Sequence, residues 1–289
     1  MAEETGIAWT DSTFNAWIGC TKVGPGCDGC YAHVLDARYR WGGAAHWGAG
    51  VPRHRTSAGN WHKPIEWNAR AAKTGKRWLV FCSSLSDVFD NEAPEEWRAD
   101  LFALIRSTPA LTWQLVTKRI GNAAKMLPPD WGAGYPNVWI ISTIVNQEEA
   151  DRDMPKLMAV PAHVHGVSYE PALGPVDWSP WFARGLSWVI IGGESVQSGH
   201  VTRPFDLKWG RSTIAQCRAA GAYPFMKQVG SKPFEVDPDP LHGGFRCGPG
   251  YRMATISLPI KDRAGATPEE WPEDLRVREF PPHRVLEPA

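Results

Sequence analysis

The chain has 289 residues, 43% of them hydrophobic, with 31 basic and 31 acidic side chains that cancel to zero formal charge. That length and apolar content suffice for one large core. Zero net charge excludes a protein that grips long duplex DNA mainly through overall positive charge, so an anionic ligand would need a local basic patch. The N-terminal Met-Ala-Glu-Glu-Thr lacks a basic stretch followed by an apolar run. No segment reaches the roughly 18 uninterrupted apolar residues of a membrane span. The expectation is a cytoplasmic protein of one domain, 1–289, with no membrane partner.

The first informative segment is a cysteine loop, 15–31. Cys20, Cys27 and Cys30 stand in the pattern C-x6-C-x2-C, while Cys82, Cys217 and Cys247 are scattered. In a reducing compartment, crowded thiols point to metal rather than to disulfides. Gly24, Pro25, Gly26 and Gly29 permit a backbone tight enough to turn three thiolates inward. A helix is predicted next, through Tyr31, Val34, Leu35 and Tyr39, with its amino end beside the thiolates, where N–H groups favour negative charge. Three ligands leave one coordination position open. A [4Fe–4S] cluster held at three irons fits this set, its fourth iron binding a small molecule. Zinc fits if His33 supplies a fourth ligand.

Residues 41–68 follow, an insert rich in Trp, His and Arg: Trp41, His46, Trp47, Arg53, His54, Arg55, Trp61, His62 and Trp67. It reads as an irregular cover or binding loop. The chain's sixteen Trp residues either pack such loops onto the body or stack on a planar ligand.

From 77 to 230 a unit repeats: a short apolar run that ends in polar residues, followed by a helix signal. The runs are Trp78–Cys82, Thr112–Val116, Val138–Ile141, His163–Val167, Trp188–Ile191 and Tyr223–Met226. Helices are predicted over 94–107, 147–158 and 206–220, the first with Pro and acids at its start. Alternation of this kind implies parallel strands joined by right-handed crossovers. The predicted fold is α/β, a complete or partial (β/α) barrel, with an open doubly wound sheet as the rival. Residues 231–289, rich in Pro and Gly, read as an irregular C-terminal extension.

In either architecture the carboxyl ends of parallel strands share one face, and sites are built there. The run-end residues Ser83, Ser84, Asp87, Lys118, Arg119, Glu170, Gly192, Gly193, Glu194 and Lys227 are therefore candidates for one polar pocket. Lys118 and Arg119 suit a carboxylate or phosphate, and Glu170, Glu194 and Lys227, a mix of acids and a Lys at one face, suit a polar pocket or an internal salt-bridge network. Cys82 and Cys217 read as inert core thiols. Cys247 is a candidate late ligand or radical relay.

Trp9-Thr10-Asp11, then Asn15 to Cys20 and the loop through Cys30-Tyr31-Ala32, resemble the opening of the three-Cys-motif bacteriophage protein family. The resemblance continues in order at 84–89, 115–119, 168–176, 188–195 and 225–228, nearly the whole chain. That family also occurs in bacteria and has no established reaction. It is similar to radical S-adenosylmethionine (SAM) proteins in its three cysteines and barrel order. In those enzymes the amino and carboxylate groups of SAM chelate the open iron, and reduction cleaves the cofactor. The present spacing departs from their C-x3-C-x2-C, and the aromatic Tyr31 follows the third cysteine instead of preceding it.

Gly192-Gly193-Glu194 resembles the Gly-Gly-Glu that touches the methionine end of SAM, but it follows a later strand. Position favours Ser83, Ser84 and Asp87 for the cofactor's amino group. The resemblance implies a [4Fe–4S] cluster on Cys20, Cys27 and Cys30, SAM as cofactor and an electron donor as partner; the phage association and the basic–aromatic insert suggest a nucleic acid or nucleobase as substrate. The competing expectation is a zinc-stabilised binding protein without catalysis.

Overall fold

A computed structural model describes residues 5–236 and 255–282. Seven parallel strands form its main sheet: β1 (Ser12–Phe14), β2 (Trp78–Cys82), β3 (Leu111–Thr117), β4 (Val138–Thr143), β5 (Val164–Tyr169), β6 (Leu186–Gly192) and β7 (Tyr223–Gln228). Their spatial order is their order in the chain. A doubly wound sheet reverses its strand order part way across; this one never does, and it curls into a half-barrel surrounded by helices. The helices are α1 (Tyr31–Tyr39), α2 (Ala58–Thr74), α3 (Glu95–Ser107), α4 (Ile120–Met126), α5 (Gln147–Ala159), α6 (Ser179–Phe182) and α7 (Leu207–Ala220).

Strand alternation divides the core in two. Outward residues such as Val80, Trp113, Leu115, Val189 and Met226 pack with Trp67, Phe102, Leu157 and Ile214 of the helices. Inward residues Leu79, Phe81, Trp139, Ile141, Trp188, Ile190 and Phe225 form a second cluster with Trp9. Side chains two apart share a face. The inward series therefore runs on past this apolar floor into Ser83, Lys118, Thr143, Ser168, Glu170, Glu194 and Lys227 at the carboxyl ends.

Two regions differ from the sequence expectation. β1 precedes the six runs read from the sequence; three residues, Ser-Thr-Phe, carry no periodicity. The stretch 41–68 is not irregular throughout. His54–Arg55 pairs with Trp17–Ile18, and from Ala58 the chain is α2, the crossover between β1 and β2. Gly59 and Pro64 hide this helix, because both are poor helix residues. It forms nonetheless because Ser57 caps it, accepting from the Asn60 N–H, and because Pro64, Trp67 and Ala71 bury one face. Arg53 locks the preceding segment, donating to Asp90 at 2.7 Å and Glu92 at 2.6 Å with its side chain fully buried.

The C-terminal extension has few regular elements but packs closely. Pro233–Val236 pairs with Thr255–Ser257 and with Phe205–Asp206. Further on, the Met226 N–H donates to Val277 O at 2.7 Å and the Glu279 N–H to Pro224 O at 3.0 Å. This segment covers the outer edge of β7, which would otherwise expose unpaired backbone groups. Phe280 stacks on Trp188 with ring centroids 5.7 Å apart. Among the described residues, no helix is long and apolar enough to cross a membrane. Cys247 lies outside the described residues.

Candidate active site

The cysteine loop leaves the carboxyl end of β1 and crosses the mouth of the half-barrel. The Gly19 N–H donates to Leu85 O at 3.0 Å, tying the loop to the segment after β2. Cys27 closes a short turn, its N–H on Gly24 O at 3.0 Å, and Cys30 is the N-cap of α1. Gly19 takes a positive φ of 111°, whereas Gly26 and Gly29 answer close approach. A Cβ on Gly29 would lie 2.6 Å from His200 Cδ2 and 2.8 Å from Glu194 Oε1, and one on Gly26 would lie 3.0 Å from Val145 Cγ1.

Two arginines pin this loop to the strand ends. Arg119, after β3, donates to Cys20 Sγ at 3.1 Å and to Thr21 O at 2.6 Å. It lies 3.7 Å from Asp87 and 3.9 Å from Asp90, with its own side chain almost wholly buried. Arg203 joins Glu194, after β6, to the loop by donating to Pro25 O at 2.9 Å and Asp28 Oδ2 at 3.2 Å. Burial, with the Asp87 charge added, pushes the Cys20 thiol up to about 12, against the pull of Arg119. Burial tends to raise the Glu194 carboxyl, but hydrogen bonds from Arg203 and His200 outweigh it and hold the group below its ordinary range.

Beneath the loop lies a cavity of about 510 Å³. Cys20, Cys27 and Cys30 all line it, as do Ser83, Ser84, Asp87, Lys118, Arg119, Glu170, Gly193, Glu194 and Lys227. Gly192 stands behind the wall, where a Cβ would lie 2.6 Å from Glu170 Oε1; a Cβ on Gly193 would strike Val229 O at 2.3 Å. Packing alone thus explains both glycines. Ile7, Trp9, Phe81 and Val116 line its apolar floor.

The lining residues differ in what their polar atoms already do. The buried Asp87 carboxylate accepts from Thr117 Oγ1 at 2.7 Å, the Lys118 N–H at 2.9 Å and the Phe89 N–H at 3.0 Å. Glu194 accepts from His200 Nε2 at 3.0 Å and the Arg203 N–H at 2.8 Å. These two acids therefore organise the wall. Lys227 pairs with Glu170 at 2.9 Å. The segment bearing Ser83 and Ser84 is held by Asn15, whose Nδ2 donates to Ser84 Oγ at 3.0 Å and whose Oδ1 accepts from the Leu85 N–H at 2.7 Å. Tyr31 donates to Ser84 O at 2.9 Å.

Asn15, Tyr31, Thr143, Ser168, His200 and Arg203 escaped sequence reasoning as site residues. Thr143 and Ser168 had a signal, since strand alternation puts them on the inward face with Lys118 and Glu170. Arg203, far from any strand end, had none.

Three thiols on one cavity wall, above a polar rim, are a donor set suited to iron or zinc. His33, the candidate fourth zinc ligand, is stacked on Trp47 at a 5.7 Å centroid distance and is not among the cavity residues. Among the described residues, no three His, Cys, Asp or Glu side chains are grouped to close round a single ion.

A parallel half-barrel with a cysteine-lined cavity at its carboxyl end defines the class of protein that the fold and site describe. By sequence, the chain belongs to the family described as protein of unknown function (DUF5131), whose model matches residues 4–257. No curated protein and no solved structure matches the chain.

Proposed function

We propose that this chain is a radical SAM-like iron–sulfur enzyme, with Cys20, Cys27 and Cys30 holding a [4Fe–4S] cluster at the mouth of the half-barrel. The observation that carries the proposal is the placement of all three thiols on the wall of the cavity into which the polar strand ends point. The resemblance to the three-Cys-motif bacteriophage proteins supports the same reading. When bound, a reduced cluster supplies the electron that breaks a carbon–sulfur bond of SAM.

The protein's part is to hold and shield. Arg119 offsets the charge of the Cys20 thiolate and fixes the loop through Thr21 O. Asp87 keeps Arg119 in place; because its oxygens already accept from β3, it serves the cofactor pocket as a positioning residue. Ser83 and Ser84 line the pocket and suit the cofactor's amino group, since a hydroxyl oxygen has two acceptor lone pairs and Ser84 Oγ gives one of them to Asn15. The apolar floor of Trp9 and Phe81 keeps water from the reacting carbon. A nucleobase, or a nucleic acid carrying one, is the substrate this reading favours, because a planar ring matches an aromatic floor.

The test is reductive cleavage of SAM by reconstituted protein. Formation of 5′-deoxyadenosine is expected under strong reductant and absent from Cys27→Ala. A cluster-loaded protein that neither binds nor cleaves SAM rejects the radical mechanism.

A further inference from the structure

Among the described residues, three basic side chains line the cavity wall, and two are already matched. Arg119 is spent on Cys20, Thr21 O, Asp87 and Asp90. Lys227 is paired with Glu170. Lys118 is half-buried, and among the described residues its ammonium has no carboxylate partner. An ammonium offers three donors and no acceptor, and at a cavity wall these donors suit an anion that arrives from outside.

A second observation lies beside it. Thr117 of β3 is in register with Ser142 of β4, so Lys118 and Thr143 are lateral neighbours on the inward face, and Thr143 is in register with Ser168 of β5. Adjacent strands are about 4.8 Å apart. Thr143 is 4% exposed, lines the cavity, and among the described residues its Oγ1 has no hydrogen-bond partner. Ser168, also buried and on the cavity wall, makes a long 3.3 Å contact to Glu170 Oε2. The nearby acids are otherwise engaged. Glu170 is neutralised by Lys227, and Glu149, behind the row, accepts from the Val145 N–H at 3.1 Å with Arg152 at 3.5 Å.

We infer that Lys118, Thr143 and Ser168 form a subsite for a phosphate group of the substrate. An ammonium and two hydroxyls in a row offer donors to three oxygens, which a phosphate has and a carboxylate lacks. The aromatic floor of Trp9 and Phe81 lies in the same cavity and accepts the ring that carries the phosphate. The inference rests on reading this cavity as an active site, but it does not depend on the cluster.

The test uses full-length, cluster-free protein titrated calorimetrically with phenyl phosphate and with benzoate. Phenyl phosphate is expected to bind more tightly than benzoate. Lys118→Met should weaken it about tenfold or more, Thr143→Val less, and Lys118→Arg should retain most of the affinity. Circular dichroism and thermal unfolding confirm that each variant is folded. Cluster-loaded protein is titrated with SAM in parallel, and Lys118→Met should leave that affinity within about twofold. Absence of phenyl phosphate binding, equal binding by Lys118→Met, or tighter binding of benzoate overturns the subsite. Loss of SAM affinity in Lys118→Met with phenyl phosphate unaffected overturns it too, and assigns Lys118 to the cofactor's carboxylate. Because the first titration requires no iron, its failure is separable from failure of the radical reading.

Discussion

At the scale of single residues, neighbours in sequence have opposite duties. Lys118 and Arg119 read alike as an anion-binding pair at a strand end, and both line the cavity. Only the structure separates them, because Arg119's partners come from Cys20, Asp87 and Asp90, which are distant in sequence. Removing Arg119 takes the neighbouring cation from the buried Asp87, while Asp90 keeps Arg53 at 2.7 Å, a loss of about 3 kcal/mol. Arg119→Met is therefore expected to unfold at lower denaturant concentration and to retain less iron, and Arg119→Lys to recover only part, since an ammonium cannot fork between partners. Unchanged stability in Arg119→Met would show that the pin is dispensable. The cysteines divide similarly. Cys20→Ala, Cys27→Ala and Cys30→Ala should each lose iron, whereas Cys82→Ala and Cys217→Ala should keep it. The latter two are buried in the core on the helical side of the sheet, and burial raises both thiols to about 12.

At the scale of elements, strands β2 to β7 and helices α3, α5 and α7 were legible, because each carries its own periodicity or cap. Asn146, for example, caps α5 by accepting from the Glu149 N–H. α2 was not legible, because its stability comes from the tertiary burial of Trp67 and Ala71. Ser57→Ala should cost about 1 kcal/mol of unfolding free energy, measurable by urea denaturation. The cysteine loop is an element held by charge. Glu194 has a folded pKa below its ordinary value, so the unfolded chain takes up its proton first as pH falls. The clamp to Arg203 thus contributes fully above the ordinary carboxylate pKa of about 4.3 and is lost as pH drops through the depressed value. Metal-free Glu194→Gln should lose melting temperature less steeply than the parent between about pH 5 and pH 3. Parallel slopes would remove Glu194 from that account.

At the scale of the whole molecule, the half-barrel is completed by a segment with no periodic signal. Residues 277–279 pair along β7, and Phe280 stacks on Trp188 of the inward core. Trp271, 2% exposed, anchors this extension. Trp271→Ala should cost about 3–5 kcal/mol and expose the extension to limited proteolysis before the barrel itself is cut. The sequence pointed to a barrel because its strands alternate with helices, and the strand order agrees. It could not show how far the sheet closes, since closure depends on edge pairing across the whole chain. The central claim is that three thiols at the barrel's mouth hold an iron–sulfur cluster. Iron, sulfide and zinc counted together, after anaerobic reconstitution of the full chain, test it most directly. About four irons and four sulfides per chain are predicted, and one zinc per chain with no iron would contradict the account.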